Sequence, residues 1–103
     1  MVKRVRNRKA VDEIDQVQCK SGNFGIIREE VYVDDAAAVV KYNLVFIHLG
    51  ICQQDNGRVL GYDNAHWNHE RHWMGTVQPV GFISYEQTLR RFLDEVESLK
   101  EKA

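Results

Sequence analysis

The chain has little proline, one residue in 103, and only two cysteines. With an apolar fraction of 44%, that composition is the one of an ordinary globular protein and excludes a proline-rich disordered segment. Cys19 and Cys52 stand far apart, in neither a CxxC pair nor a dense framework. A disulfide scaffold and thioredoxin-type chemistry are thereby excluded, and two buried thiols in a reducing cytosol are expected. No apolar run approaches the roughly 20 residues that span a bilayer. The charged start, MVKRVRNRKAV, has no apolar stretch behind it, so a secretory signal is not expected. The address that follows is cytoplasmic, with no membrane partner. A net charge of -1 supplies no global field toward nucleic acid. P-loop, GxGxxG and GxSxG motifs are missing, which argues against nucleotide-cofactor and serine-hydrolase chemistry, and no cofactor is expected.

What is present is one domain's length of chain. Its charge is uneven: KRVRNRK at positions 3 to 9 holds cations and no acid, whereas the end of the chain is acidic. Residues 1–20 read as a basic N-terminal arm, within which AVDEIDQV fits a short helix or a first strand equally well. Lys3, Arg4 and Arg6 of the arm are candidate contacts to RNA phosphates, the alternative being a solvated terminus. Residues 21–103 read as a single α+β domain.

In FGIIREEVYVDD, residues 24 to 35, alternation predicts a strand without a cleanly apolar face, exposed and open to pairing with a partner. VVKYNLVFIHLGIC, residues 39 to 52, reads as the central strand, since its second half is apolar on both faces. His48 within it reads as a hydrogen-bonded core or sheet-edge histidine. Asn56-Gly57 is the pair that most readily supplies two positive φ angles, so RVLGYDN should return antiparallel. WMGTVQPVGF predicts a last strand, with Pro79 implying an edge. The final segment carries Ser84 as N-cap with Gln87 three residues on, then Tyr85, Leu89, Phe92, Leu93, Val96 and Leu99 at helical spacing. An antiparallel meander of about four strands with a C-terminal helix packed on one face follows.

Residues 61–75, GYDNAHWNHERHWMG, gather three of the four histidines, both tryptophans and an arginine. His66, His69 and His72 recur every third residue, a spacing that diverges on a strand and spreads too widely on a helix to hold a metal. Only an irregular loop can gather them, with Asp63 as a fourth ligand, and no zinc signature is present; no metal is assigned. The alternative chemistry is acid–base. His69 and His72 have the groups to move protons at a phosphodiester, Arg71 to stabilise charge on phosphorus, and Asp63 to orient an imidazole. On that reading Asp63, Arg71 and His72 should lie on one side of the sheet. Against it stands a turn in which Asp63 and Asn64 bond nearby backbone and the aromatic rings pack.

KYNLVFI, GRVLGYDN, the histidine-rich segment ending ERH, and GFISYEQTLRRFLDEV, taken in order, resemble the TumE-type toxins of prokaryotic toxin–antitoxin modules. The resemblance covers about residues 39–98. Tyr62, Asp63 and Asn64 match the family's turn, and Arg71 and His72 match the end of its histidine element. Where members carry a histidine directly before the arginine, this chain has Glu70, with His69 one place earlier. The resemblance implies a toxin role and leaves the reaction open.

Two functions are therefore expected to compete. One is a toxin that cleaves RNA without a metal, using His69 or His72 with Arg71. The other is a non-catalytic inhibitor or regulator that binds a protein through a sheet edge. A small helix-turn-helix antitoxin is the expected partner of a toxin, and an open strand edge also allows a homodimer.

Overall fold

The computed structural model describes residues 7–102. Six strands run in chain order as one antiparallel meander: β1 (Arg8–Gln18), β2 (Phe24–Val33), β3 (Val39–Ile47), β4 (Arg58–Asp63), β5 (Glu70–Trp73) and β6 (Thr76–Pro79). One helix, α1 (Tyr85–Lys102), follows and packs across β3 and β4. The α+β class and the meander are as the pattern predicts, with six strands in place of about four.

The added strands have clear physical origins. The AVDEIDQV segment is a strand, part of β1, paired with β2 from Val11↔Val31 to Val17↔Gly25, with Ala10 at a slip in the register. β2 is consequently an interior strand between β1 and β3, not the exposed edge its polarity suggests. The histidine-rich stretch is not an irregular loop, because its second half is β5, paired with β4 from Leu60↔Trp73 to Asp63↔Glu70. The single strand expected over residues 73–82 is broken at Met74 and Gly75, whose φ angles of 47° and 86° turn β5 back into β6. Pro79 lies on β6, an edge strand where a missing N–H costs no ladder bond.

β3 ends at Ile47 rather than continuing to Cys52. The chain turns at His48, whose carbonyl accepts from the Ile51 and Cys52 amides and whose ring Nδ1 accepts from the Gly50 N–H. Asn56 and Gly57 do adopt positive φ, 55° and 83°, inside a 3-10 turn (Asp55–Gly57) that leads into β4.

The core lies between the sheet and α1. Tyr42, Leu44, Phe46, Leu60 and Tyr62 point up from the sheet to meet Phe92 and Val96. Ser84 begins the helix as expected, its Oγ accepting from the Gln87 N–H at 3.2 Å. Cys19 and Cys52 are both buried free thiols. Among the described residues no helix is long and apolar enough to cross a membrane.

Candidate functional site

Because successive residues of a strand face opposite ways, β4 and β5 sort the candidate residues onto two surfaces. Tyr62 and Arg71 are directly opposed and lie under the helix; Gly61 is opposed to His72 and Asp63 to Glu70 on the other, open face. The expected grouping of Asp63, Arg71 and His72 on one side does not form. Asp63 and His72 come together, and Arg71 is turned away from them.

On the covered face Arg71 is bonded to both Tyr62 and Glu95. Its Nε donates to the Tyr62 hydroxyl at 3.1 Å, its Nη2 donates to Glu95 of α1, and the Tyr62 hydroxyl donates to the other Glu95 oxygen. The guanidinium also lies 5.0 Å from the centre of the Trp73 ring. Burial works against its charge, but the bond to Glu95, the Glu95 charge and the bond to Tyr62 together outweigh it and raise its pKa. Burial, followed by Glu95, pushes the Tyr62 phenol up to about 12. His69 is held similarly. Its Nδ1 is 2.8 Å from the Tyr42 hydroxyl, and its ring stacks on Phe82 with centroids 3.8 Å apart. Both residues join the sheet to the segment around the helix, and neither has a polar group facing the open side.

The open face is different. Asp63 and His72 are 6% and 7% exposed, and His72 Nε2 lies 2.7 Å from Asp63 Oδ2. An ionised carboxylate only accepts, so beside Asp63 a neutral ring carries its proton on Nε2 and leaves Nδ1 as the acceptor. Nδ1 is buried and has no hydrogen-bond partner. The nearest acid is Asp55, whose Oδ2 is 4.0 Å away. Arg58 stands between these acids, its Nε 2.7 Å from Asp55 and its Nη1 3.8 Å from Asp63.

Arg58 reaches this position through an irregularity in the sheet. The register slips between Phe46 and Ile47, so that Ile47 pairs with Arg58 and Phe46 with Leu60. Val59 is the extra residue; it is buried with Leu60 in the core, and Arg58 is thrown onto the open face. Gly61 leaves it room there. A Cβ at Gly61 would come within 2.9 Å of Arg58 Cδ and 3.2 Å of the Leu44 carbonyl.

Asp63, His72 and Arg58 line a cavity of about 310 Å³ together with Lys41, Asn43, Glu30, Tyr32 and His66. His66, at its rim, has a side chain 80% exposed and Nδ1 3.2 Å from Glu70 Oε1. Asp63, His66 and Glu70 each bring a ligand atom within 4.8 Å of the others. These atoms are already committed inside the chain: the Asp63 oxygens to the Ala65 N–H and to His72, and His66 to Glu70. We assign the cluster to that hydrogen bonding. Asn64 is likewise structural, its side chain bonding the Tyr42 N–H and the Val40 carbonyl.

Of the candidate residues, then, Asp63 and His72 form a pair, while His69 and Arg71 belong to the covered face. Lys3, Arg4 and Arg6 lie outside the described residues. Arg58 and Lys41, absent from the candidates, line the same cavity, and so does His66, which replaces His69 as the second histidine on the site. Trp67, 98% exposed beside His66, packs against nothing, contrary to the packing role its ring suggests. No protein-family model, curated protein or solved structure matches the chain.

Proposed function

We propose that the chain is the toxin component of a toxin–antitoxin module and acts as a metal-independent ribonuclease from the open face of its sheet. The toxin role rests on the resemblance set out above. The chemistry rests on one observation, the His72 imidazole held through Nε2 by buried Asp63 with Nδ1 left unbonded. A proton-transfer group needs that division, one nitrogen fixed by a carboxylate and the other free to work.

In the proposed reaction His72 Nδ1 takes the proton of a ribose 2′-hydroxyl. The 2′-oxygen bonds to phosphorus and the bond from phosphorus to the 5′-oxygen breaks. Protonated His66, exposed at the rim, gives its proton to that leaving oxygen, so the products are a 2′,3′-cyclic phosphate and a free 5′-hydroxyl. Arg58 and Lys41 neutralise charge on the phosphate, the role first sought in Arg71. Nδ1 is buried with Asp55 Oδ2 4.0 Å away, so the proposed reaction requires the surrounding side chains to shift before RNA reaches it.

Purified protein incubated with total RNA in EDTA should yield 2′,3′-cyclic ends, and His72→Gln should abolish them. Equal cleavage by both proteins, or none by either, refutes the reaction. The proposed partner is a small helix-turn-helix antitoxin encoded beside the gene.

A second reading, a non-catalytic inhibitor bound through a sheet edge, has its own support. β1 spans 11 residues and pairs on one side only, which moves the pairing edge from β2 to β1. Capture of a stable partner, unchanged when His66, His72 and Arg58 are all replaced by alanine, favours it over the ribonuclease.

A further inference from the structure

The helix covers only part of its side of the sheet. α1 packs on β3 and β4, and the neighbouring strands β1 and β2 run beside it as the wall of a groove. Two cavities open along that groove, about 680 Å³ toward the end of the helix and about 210 Å³ nearer its middle, with Ile27 and Leu93 lining both. The groove is apolar at its base, where Val17, Ile27, Leu89 and Leu93 meet. Leu93 belongs to the apolar stripe of α1 yet stays 41% exposed beside the uncovered strands.

The rim has an electrostatic fault. The β1–β2 register sets Glu13 directly opposite Glu29, with Asp15 two residues on along the same face of β1. Like charges directly opposed across a strand pair destabilise the sheet. Lys9 and Arg28 do not relieve this, because they pair with Asp12 and Glu30 on the open face. Glu29 accepts a hydrogen bond from the Tyr85 hydroxyl, a neutral donor. Among the described residues no ion pair reaches Glu13 or Asp15. Glu97 and Glu101 line the far end, where Lys100 bonds Glu97 at 2.8 Å.

We propose that this groove docks a basic amphipathic helix of a partner protein, laid alongside α1 with its leucine-type face on Ile27 and Leu93 and its cations on Glu13, Asp15 and Glu29. The apolar base calls for a helix face with anchors at i, i+3 and i+4, and the carboxylates select cations at its flank. Lys20 and Lys100 at the far end and Arg28 near the middle also line the two cavities, but carboxylates outnumber them, so the rim favours a basic partner over nucleic acid. The groove and the Asp63–His72 pair lie on opposite faces of the sheet, and the proposal holds whether or not the open face cleaves RNA.

The probe is a fluorescent helical peptide of leucine and lysine in amphipathic order, titrated into the full chain, with a leucine–glutamate peptide and a scrambled leucine–lysine peptide as controls. The ordered basic peptide should bind saturably and weaken with salt. Glu13→Gln with Asp15→Asn should raise Tm, because the repulsion across β1 and β2 falls, yet lower peptide affinity at least tenfold. Leu93→Ser, at an exposed position, should lower affinity to a similar extent with little change in Tm. Opposite signs on stability and binding in the carboxylate variant are what a purely structural role cannot give. Absence of saturable binding, equal binding of the acidic or scrambled peptide, affinity unchanged in both variants, or displacement of the peptide by an RNA oligonucleotide overturns the proposal.

Discussion

Arg71 and His72 are neighbours in the chain and strangers in the fold. One lies under α1 with its Nε and Nη2 bonded to Tyr62 and Glu95 and its plane beside the Trp73 ring; the other lies on the open side with a ring nitrogen left over. The covered face uses its polar groups as fasteners, closing each bond between sheet and helix. The open face brings an imidazole, a carboxylate and a guanidinium close together, and there Asp63 and Arg58 are bonded within the chain while His72 Nδ1 is left without a partner. Chemical type alone does not separate a fastener from a working group. What separates them is whether the partners of the group are complete.

That contrast can be broken by substitution. The largest effect expected is on activity: His72→Gln should lower RNA cleavage by about 10²- to 10⁴-fold, the usual worth of a positioned proton-transfer group, with the fold intact by circular dichroism. On the covered face the largest effect is on stability. Phe92→Ala removes a fully buried ring of the core and should cost about 3–5 kcal/mol in urea unfolding, with cleavage per folded molecule unchanged. Arg71→Met leaves Glu95 and Tyr62 without their partner and should cost about 1–3 kcal/mol, again without a matching loss of cleavage.

The covered face should also show itself at high pH. Burial first, then nearby carboxylates, holds the Tyr42 and Tyr62 phenols up to about 12. A folded pKa above the unfolded value of about 10 means that the folded state keeps protons the unfolded state has lost. The stabilisation is whole below pH 10 and disappears as pH rises toward 12. Unfolding free energy measured across that interval should fall, in step with late tyrosinate absorbance; a flat profile refutes the buried phenols. Smallest is the helix cap, where Ser84→Ala should cost about 1 kcal/mol and leave cleavage alone.

How much of this was legible in the residues follows from which features are local. The helix was readable because its cap and stripe lie within one segment, and the β3–β4 hairpin because Asn56 and Gly57 take positive φ at little steric expense. The β5–β6 turn was not, since Met74 gives no hint of a φ of 47° and each flanking strand has only four residues. β1 and β2 hid for another reason. Their exposed alternation mixes charge and aliphatic groups on both faces, and only pairing reveals one as an edge and the other as interior. At the site, Asp63 and His72 were legible by chemistry alone, since the face they share follows from the pairing of β4 with β5. Arg58 was not, because by simple alternation it shares a face with Leu60 and Tyr62. The slip at Val59 and the missing side chain of Gly61 put it beside Asp63, and both are properties of paired strands rather than of a segment.

The division between the faces is tested most directly by two arginines. Arg58→Ala and Arg71→Ala, each assayed for RNA cleavage in EDTA at a temperature where both variants are folded, should part widely: the first losing nearly all activity, the second keeping it. Activity lost with Arg71 and retained without Arg58 contradicts the account.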